Sequence, residues 1–150
     1  MIKFGVGQPV RRKEDQRLVT GSGNYADDVR YDGQHYAVMV RSPYAHARIR
    51  KLETADASGM PGVVAILTAK ELAEDKVGTL RCLAPMENID GTPQATPPRQ
   101  IMAADRVRFV GDMVAMVVAT SVDAAQDAAE AVHVDYEMLP SVTDLASAMD

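Results

Sequence analysis

The sequence has one cysteine, no tryptophan and three histidines in 150 residues. One cysteine cannot close an intramolecular disulfide, which agrees with a reducing compartment. Nor can it hold an iron–sulfur cluster, which takes about four thiolates. The histidines, His35, His46 and His133, form no H-x-H or H-x₃-H pair, so the spacing of a zinc site is missing. No apolar run approaches the roughly 18–20 residues of a transmembrane segment. The opening stretch MIKFGVGQPVRRKED lacks an apolar signal core, and the cytoplasm is the expected location. Basic residues thin out along the chain. Residues 1–50 carry nine Lys/Arg against five Asp/Glu, residues 51–100 five against seven, and residues 101–150 two against nine. With a net charge of −5 the chain is a poor general nucleic-acid binder, although its basic front suits an acidic partner surface.

Present instead are 47% hydrophobic and 25% charged residues, the balance of a soluble globular protein of one domain. Residues 1–33 are polar and glycine-rich and read as an extended arm. Residues 34–150 hold the periodic segments and read as the core. QHYAVMVRS (34–42) and AHARIRKLE (45–53) alternate like strands, and the Ser-Pro-Tyr between them marks a hairpin or a sharp strand-to-strand bend. In the second run Ala47, Ile49 and Lys51 oppose His46, Arg48 and Arg50. DASGMPG (56–62) is a helical turn, and VVAILT (63–68) a buried strand. Thr68 and Glu71 stand at capping-box spacing before a short helix over 68–75.

Residues 77–104 are irregular, and the four prolines of 85–100 mark a loop. DRVRFVGD (105–112) alternates as a strand turning at Gly111-Asp112. MVAMVVAT (113–120) reads as a central strand. Ser121 caps a helix over 121–132 with Val122, Ala125, Ala129 and Val132 on one face. VHVDYEM (132–138) alternates strictly, with Val132, Val134, Tyr136 and Met138 toward the core. SVTDLASAMD (141–150) starts one more helix. The order is β-β-α-β-α, an irregular segment, then β-β-α-β-α, an α+β pattern.

Candidate chemistry is sparse. Cys82 has no histidine near it in sequence and reads as an ordinary thiol. GSG (21–23) is followed by no helix and reads as a turn rather than a phosphate cradle. His133, Asp135 and Glu137 share a strand face at a spacing a metal could use, or form a solvated face. VRSPYAHARIR (40–50) is the densest cluster. Ser42 has no local base, and no carboxylate is near in sequence, so it reads as a polar elbow suited to interface contacts through arginine forks.

Five segments in fixed order carry a resemblance: GQPVRRKEDQRLVTGSGNYADD, VRSPYAHARI, MPGVVAILT, DRVRFVGDMVAMVVA and AAQDAAEAVHVDYEMLP. They resemble the start of the large, molybdenum-cofactor subunit of the xanthine dehydrogenase/aldehyde oxidase family. Within it they are most similar to the bacterial carbon-monoxide-dehydrogenase-like large subunits. Met113 stands where a proline is more usual. The resemblance covers Gly5 to about Leu145 and implies the α/β hammerhead fold, a mixed sheet with short helices. It implies a domain excised from a longer large subunit and inactive alone, with no catalytic, cofactor-binding or metal-binding residues of its own. The complete enzyme is expected to oxidise CO, an aldehyde or an N-heterocycle using water. It would carry molybdopterin (cytosine dinucleotide) with molybdenum, and [2Fe–2S] and FAD on partner subunits. Arg11, Arg12, Lys13, Arg41, Ser42, His46 and Arg48 are the expected scaffold and interface residues, facing the rest of the large subunit or the iron–sulfur subunit. The alternative is a self-standing ligand- or protein-binding module that reuses the fold.

Overall fold

The computed structural model describes Gly7 and residues 12–148. The chain divides into two compact units, Met1–Gln34 and His35–Asp150.

The first unit is not extended throughout, as the sequence suggested. It holds a short helix, α1 (Asp15–Val19), and a 3-10 turn at Ala26–Asp28. Asp15 stands in the first turn of α1, where a negative charge suits the free N–H groups. The GSG stretch ends this helix. Gly21 takes φ +74°, and its N–H donates to Leu18 O while Ser22 N–H donates to Arg17 O. A Cβ on Gly23 would fall 2.4 Å from Leu18 Cδ2 and 3.2 Å from its Cα, so any side chain there would have to displace the Leu18 side chain.

The second unit is α+β. Its strands are β1 (Tyr36–Arg41), β2 (Ala47–Glu53), β3 (Val63–Thr68), β4 (Arg106–Val107), β5 (Met113–Ala119) and β6 (His133–Met138). Its helices are α2 (Ala55–Ser58), α3 (Ala69–Glu74) and α4 (Val122–Glu130). The expected mixed sheet resolves into two sheets, ordered β1-β5-β3 and β4-β2-β6, with every pairing antiparallel. The Ser-Pro-Tyr segment is therefore a bend. It carries the chain out of one sheet and into the other.

One cluster joins the sheets through Ala47, Val107 and Val114, flanked by Ile49, Val134 and Tyr136. A second lies under α2 and α4 and is built on Ala57, Val117, Ala128 and Val132. Among the described residues the largest fully buried side chains are valines: Val107, Val114 and Val117. Alanines fill most of the remaining buried positions, with Met102 and Val132, and let α4 approach β1 and β5 closely.

Local chemistry sets several boundaries. Ser121 accepts from Ala124 N–H to start α4, and Thr68 with Glu71 forms the full capping box of α3. Ala125 and Ala128 are the buried positions of α4, whereas Val122 faces solvent. A bulge between Ile49 and Lys51 breaks the alternation of β2, so Leu52 rather than Lys51 joins the core. Met138, expected inside, is exposed at the end of edge strand β6.

The strand expected over 105–112 stops at Val107. Asp112 Oδ2 accepts from Arg108 N–H at 3.0 Å and its own N–H donates to Phe109 O, which pulls 108–112 into a turn with Gly111 at φ +87°. Nor do residues 141–148 form a helix. Val142 and Leu145 are exposed, so no packed face supports one, and Asp144 instead accepts from Ser147 N–H. The Pro-rich segment folds back on itself as an exposed arm, with Leu80 opposite Arg99 and Glu87 opposite Pro93. Ala103 N–H, donating to Met113 O at 2.7 Å, anchors its return.

Candidate interface at the 40–50 elbow

The elbow is held from three sides. Arg41 Nη1 donates to Gly111 O at 2.9 Å, Ser42 N–H to Asp112 O at 2.9 Å, and Gly111 N–H to Ser42 O at 2.8 Å. These bonds zip the end of β1 to the turn before β5. Within the bend the Ser42 hydroxyl accepts from Tyr44 N–H at 3.0 Å and donates to Tyr44 O at 3.1 Å. Pro43 between them has no N–H to satisfy. On the far side His46 Nδ1–H donates to Pro140 O at 2.6 Å, and Leu139 N–H donates to His46 O at 3.0 Å.

The Tyr44 and Tyr136 rings meet edge to face with centroids 5.2 Å apart. Burial raises the Tyr136 phenol above its usual range, opposed by the neighbouring Ser42 hydroxyl and reinforced by Asp112. The phenol stays neutral. Ser42 is only 2% exposed and its hydroxyl is spent inside the bend. Arg41 and Arg48 are exposed and His46 is half-buried. Arg12 and Lys13 are exposed in the first unit. Arg11 lies outside the described residues.

The elbow does have a carboxylate partner, supplied in space by β6. Glu137 stands opposite Arg48 in the ladder. Its Oε2 lies 2.7 Å from Arg50 Nη2 and 3.9 Å from Arg48 Nε. This pairing also decides the reading of His133, Asp135 and Glu137. Each faces a charged residue of β2: His133 faces Glu53, Asp135 faces Lys51, and Glu137 faces Arg48. Lys51 and Glu53 further pair at 2.5 Å, which raises the ammonium and lowers the carboxyl from their usual ranges, chiefly by the hydrogen bond between them. The face is a ladder of opposite charges. Among the described residues no group of three His, Cys, Asp or Glu side chains converges. Cys82 sits exposed on the folded-back arm.

Sequence reasoning missed one feature. A groove of about 550 Å³ opens beside the elbow, lined by His46, Arg106, Arg108, Phe109, Val110 and Val142 among others. It was hidden because 105–112 read as a strand. The one available signal was that Arg106 and Arg108 are the sole basic residues of 101–150. Among the described residues no helix is long and apolar enough to cross a membrane.

Comparison with known proteins places this architecture. Residues 20–140 match the family model described as "Aldehyde oxidase and xanthine dehydrogenase, a/b hammerhead domain". The chain is 40% identical to the nicotine 6-hydroxylase large subunit of Paenarthrobacter nicotinovorans over 93% of its length, and that match takes in 16% of the relative. It is likewise 40% identical to the carbon monoxide dehydrogenase large chain of Afipia carboxidovorans, covering 97% of this chain and 17% of the other. Among solved structures, quinoline 2-oxidoreductase from Pseudomonas putida 86 superimposes with a TM-score of 0.82 at 37% identity, covering 96% of this chain and 18% of that one. The chain thus spans less than a fifth of these relatives. With the family model matched over most of its length and the fold shared with the solved relatives, the chain belongs to the aldehyde oxidase and xanthine dehydrogenase family, as its a/b hammerhead domain.

Proposed function

We propose that this chain serves as a structural and assembly domain of a molybdenum hydroxylase large subunit, without catalytic residues of its own. The observation that carries the reading is that the polar groups of the elbow are spent on holding β1, the 108–112 turn and the 139–140 segment together. A nucleophile or base needs a free reactive atom beside its partner. The Ser42 hydroxyl has none to offer, and His46, with Nδ1 donating to a backbone carbonyl, keeps Nε2 free but has no hydrogen bond from it to a nucleophile among the described residues.

The relatives include a nicotine hydroxylase, carbon monoxide dehydrogenases and a quinoline oxidoreductase, and one is a Cu,Mo-CO dehydrogenase. They support the reading in which the parent enzyme oxidises CO, an aldehyde or an N-heterocycle with water at molybdopterin cytosine dinucleotide; the iron–sulfur and FAD subunits and the cytoplasmic location are part of the same proposal. The described residues do not fit the molybdenum cofactor. Their one buried polar residue, Ser42, is already satisfied, the unpartnered Arg106 Nε belongs to a residue lining an open groove, and the grooves open broadly to solvent. No chemical step is assigned to this chain.

Elemental analysis of the native complex, isolated through this chain, tests the reading. Molybdenum together with iron is the expected result. Neither metal, with a native polypeptide of this length, would favour the self-standing binding module. The assembly role predicts that His46→Ala combined with Arg48→Ala weakens subunit recovery. Unchanged assembly and activity would reject it.

A further inference from the structure

Residues 101–150 carry nine acidic side chains and two basic ones, yet both basic ones, Arg106 and Arg108, line a single groove. Among the described residues neither forms an ion pair. Arg106 Nε is shut off from solvent without a hydrogen-bond partner. An unpaired guanidinium nitrogen out of water is costly until an acceptor reaches it. Two nearby acids face other groups. Glu137 Oε2 lies within ion-pair distance of Arg48 and Arg50, although it too lacks a hydrogen bond, and Asp112 accepts from Arg108 N–H within the turn. Arg48 stands opposite Arg106 in the ladder and adds to the positive field.

The rim of the groove is apolar. Phe109, Val110 and Val142 are 45%, 66% and 63% exposed. A small anion would satisfy the arginines and leave these three in water. A carboxylate beside an apolar side chain would cover both features, and arginine forks suit carboxylates.

We infer that the Arg106–Arg108 groove receives an acidic segment with a neighbouring apolar side chain, supplied by another part of the same large polypeptide. This rests on the reading of the chain as one domain of a large subunit. The source follows from proportion: the matched relatives devote only 16–17% of their length to this domain. The charge of the groove is opposite to that of the sequence around it, and opposite charges set register and suppress wrong contacts.

The test uses the intact large subunit in its native complex. Arg108→Lys keeps the charge and adds an amine that carbodiimide can couple directly to a touching carboxylate. Mass spectrometry should find that amine joined to an Asp or Glu of the large polypeptide outside residues 1–150. In the unaltered complex, phenylglyoxal should modify Arg108 about ten-fold more slowly than in the same complex loosened by mild urea. No cross-link, or one to Asp112 alone, overturns the inference, as does one to a separate subunit. Protection of Arg108 by inorganic phosphate without a cross-link also overturns it, in favour of a small-anion site. Molybdenum content measured on the same preparation separates the two readings. A molybdenum-containing complex without the cross-link rejects the groove alone, and a complex without molybdenum rejects the proposed role in a molybdenum hydroxylase.

Discussion

His46 and Pro140 stand 94 positions apart in sequence, and the His46 ring donates to the Pro140 carbonyl across 2.6 Å. The return bond from Leu139 N–H to the His46 carbonyl makes this a two-way tie between the entry to β2 and the exit from β6. His46→Ala removes one strand of the tie. The expected cost is about 1 kcal/mol, felt locally as a roughly five-fold faster exchange of the Leu139 amide. Amides in β5 should keep their rates. Equal acceleration in β5 would mean that the tie holds the whole unit.

Gly62 has φ +84°, and a Cβ there would lie 3.0 Å from Thr120 Oγ1 and 3.2 Å from Ala124 Cβ. Gly62→Ala should therefore combine strain with a clash and destabilise by about 1–3 kcal/mol. Gly91 has a similar φ of +79° but open space around it. Gly91→Ala bears the strain alone, and thermal unfolding should lower its midpoint less. Equal midpoints would remove the clash from the explanation.

The α3 capping box has a pH signature. Glu71 Oε2 accepts from Thr68 N–H at 2.8 Å and from the Thr68 hydroxyl at 2.5 Å. The hydroxyl bond chiefly holds the Glu71 carboxyl below its usual value of 4.5. A folded-state value below the unfolded one means the stabilisation is complete above the ordinary glutamate range. It is lost as pH falls through the lowered value. Thr68→Ala should cost about 1 kcal/mol at neutral pH and return Glu71 toward its usual titration, read by NMR. An unmoved titration would show that the backbone bond alone sets it.

Glu137 faces two arginines, yet its side chain is 41% exposed and theirs are about half exposed. Glu137→Gln should change stability by less than about 1 kcal/mol. Glu137→Lys places three cations together and should destabilise more, with a deficit that shrinks as salt rises. Denaturant unfolding at low and high salt checks both. A salt-independent loss would assign the effect to packing.

What could be read from the sequence was written among neighbours. The capping box of Thr68 and Glu71, the Ser121 cap and the central place of 113–119 depend on residues a few positions apart. The bulge that turns Leu52 inward depends on β6, which no local pattern in β2 contains. The exposure of Val122 and Met138 was misjudged because alternation fixes a face and not what covers it. At 141–148 helix propensity had no packed partner to support it. The elbow was visible as a polar cluster at 40–50. Its carboxylate was not, since Glu137 arrives from a distant strand.

The bend at Ser42–His46 also sets a timetable for folding. Because it sends β1 and β2 into different sheets, neither strand pairs with its sequence neighbour. β1 and β3 wait for β5, and β2 waits for β4 and β6. No ladder between these strands can close before residue 106 has been made, and the second sheet is incomplete until residue 138. At about 5–20 residues per second, a ribosome leaves β1 without a partner for several seconds. During that interval its edges stay open to wrong pairings.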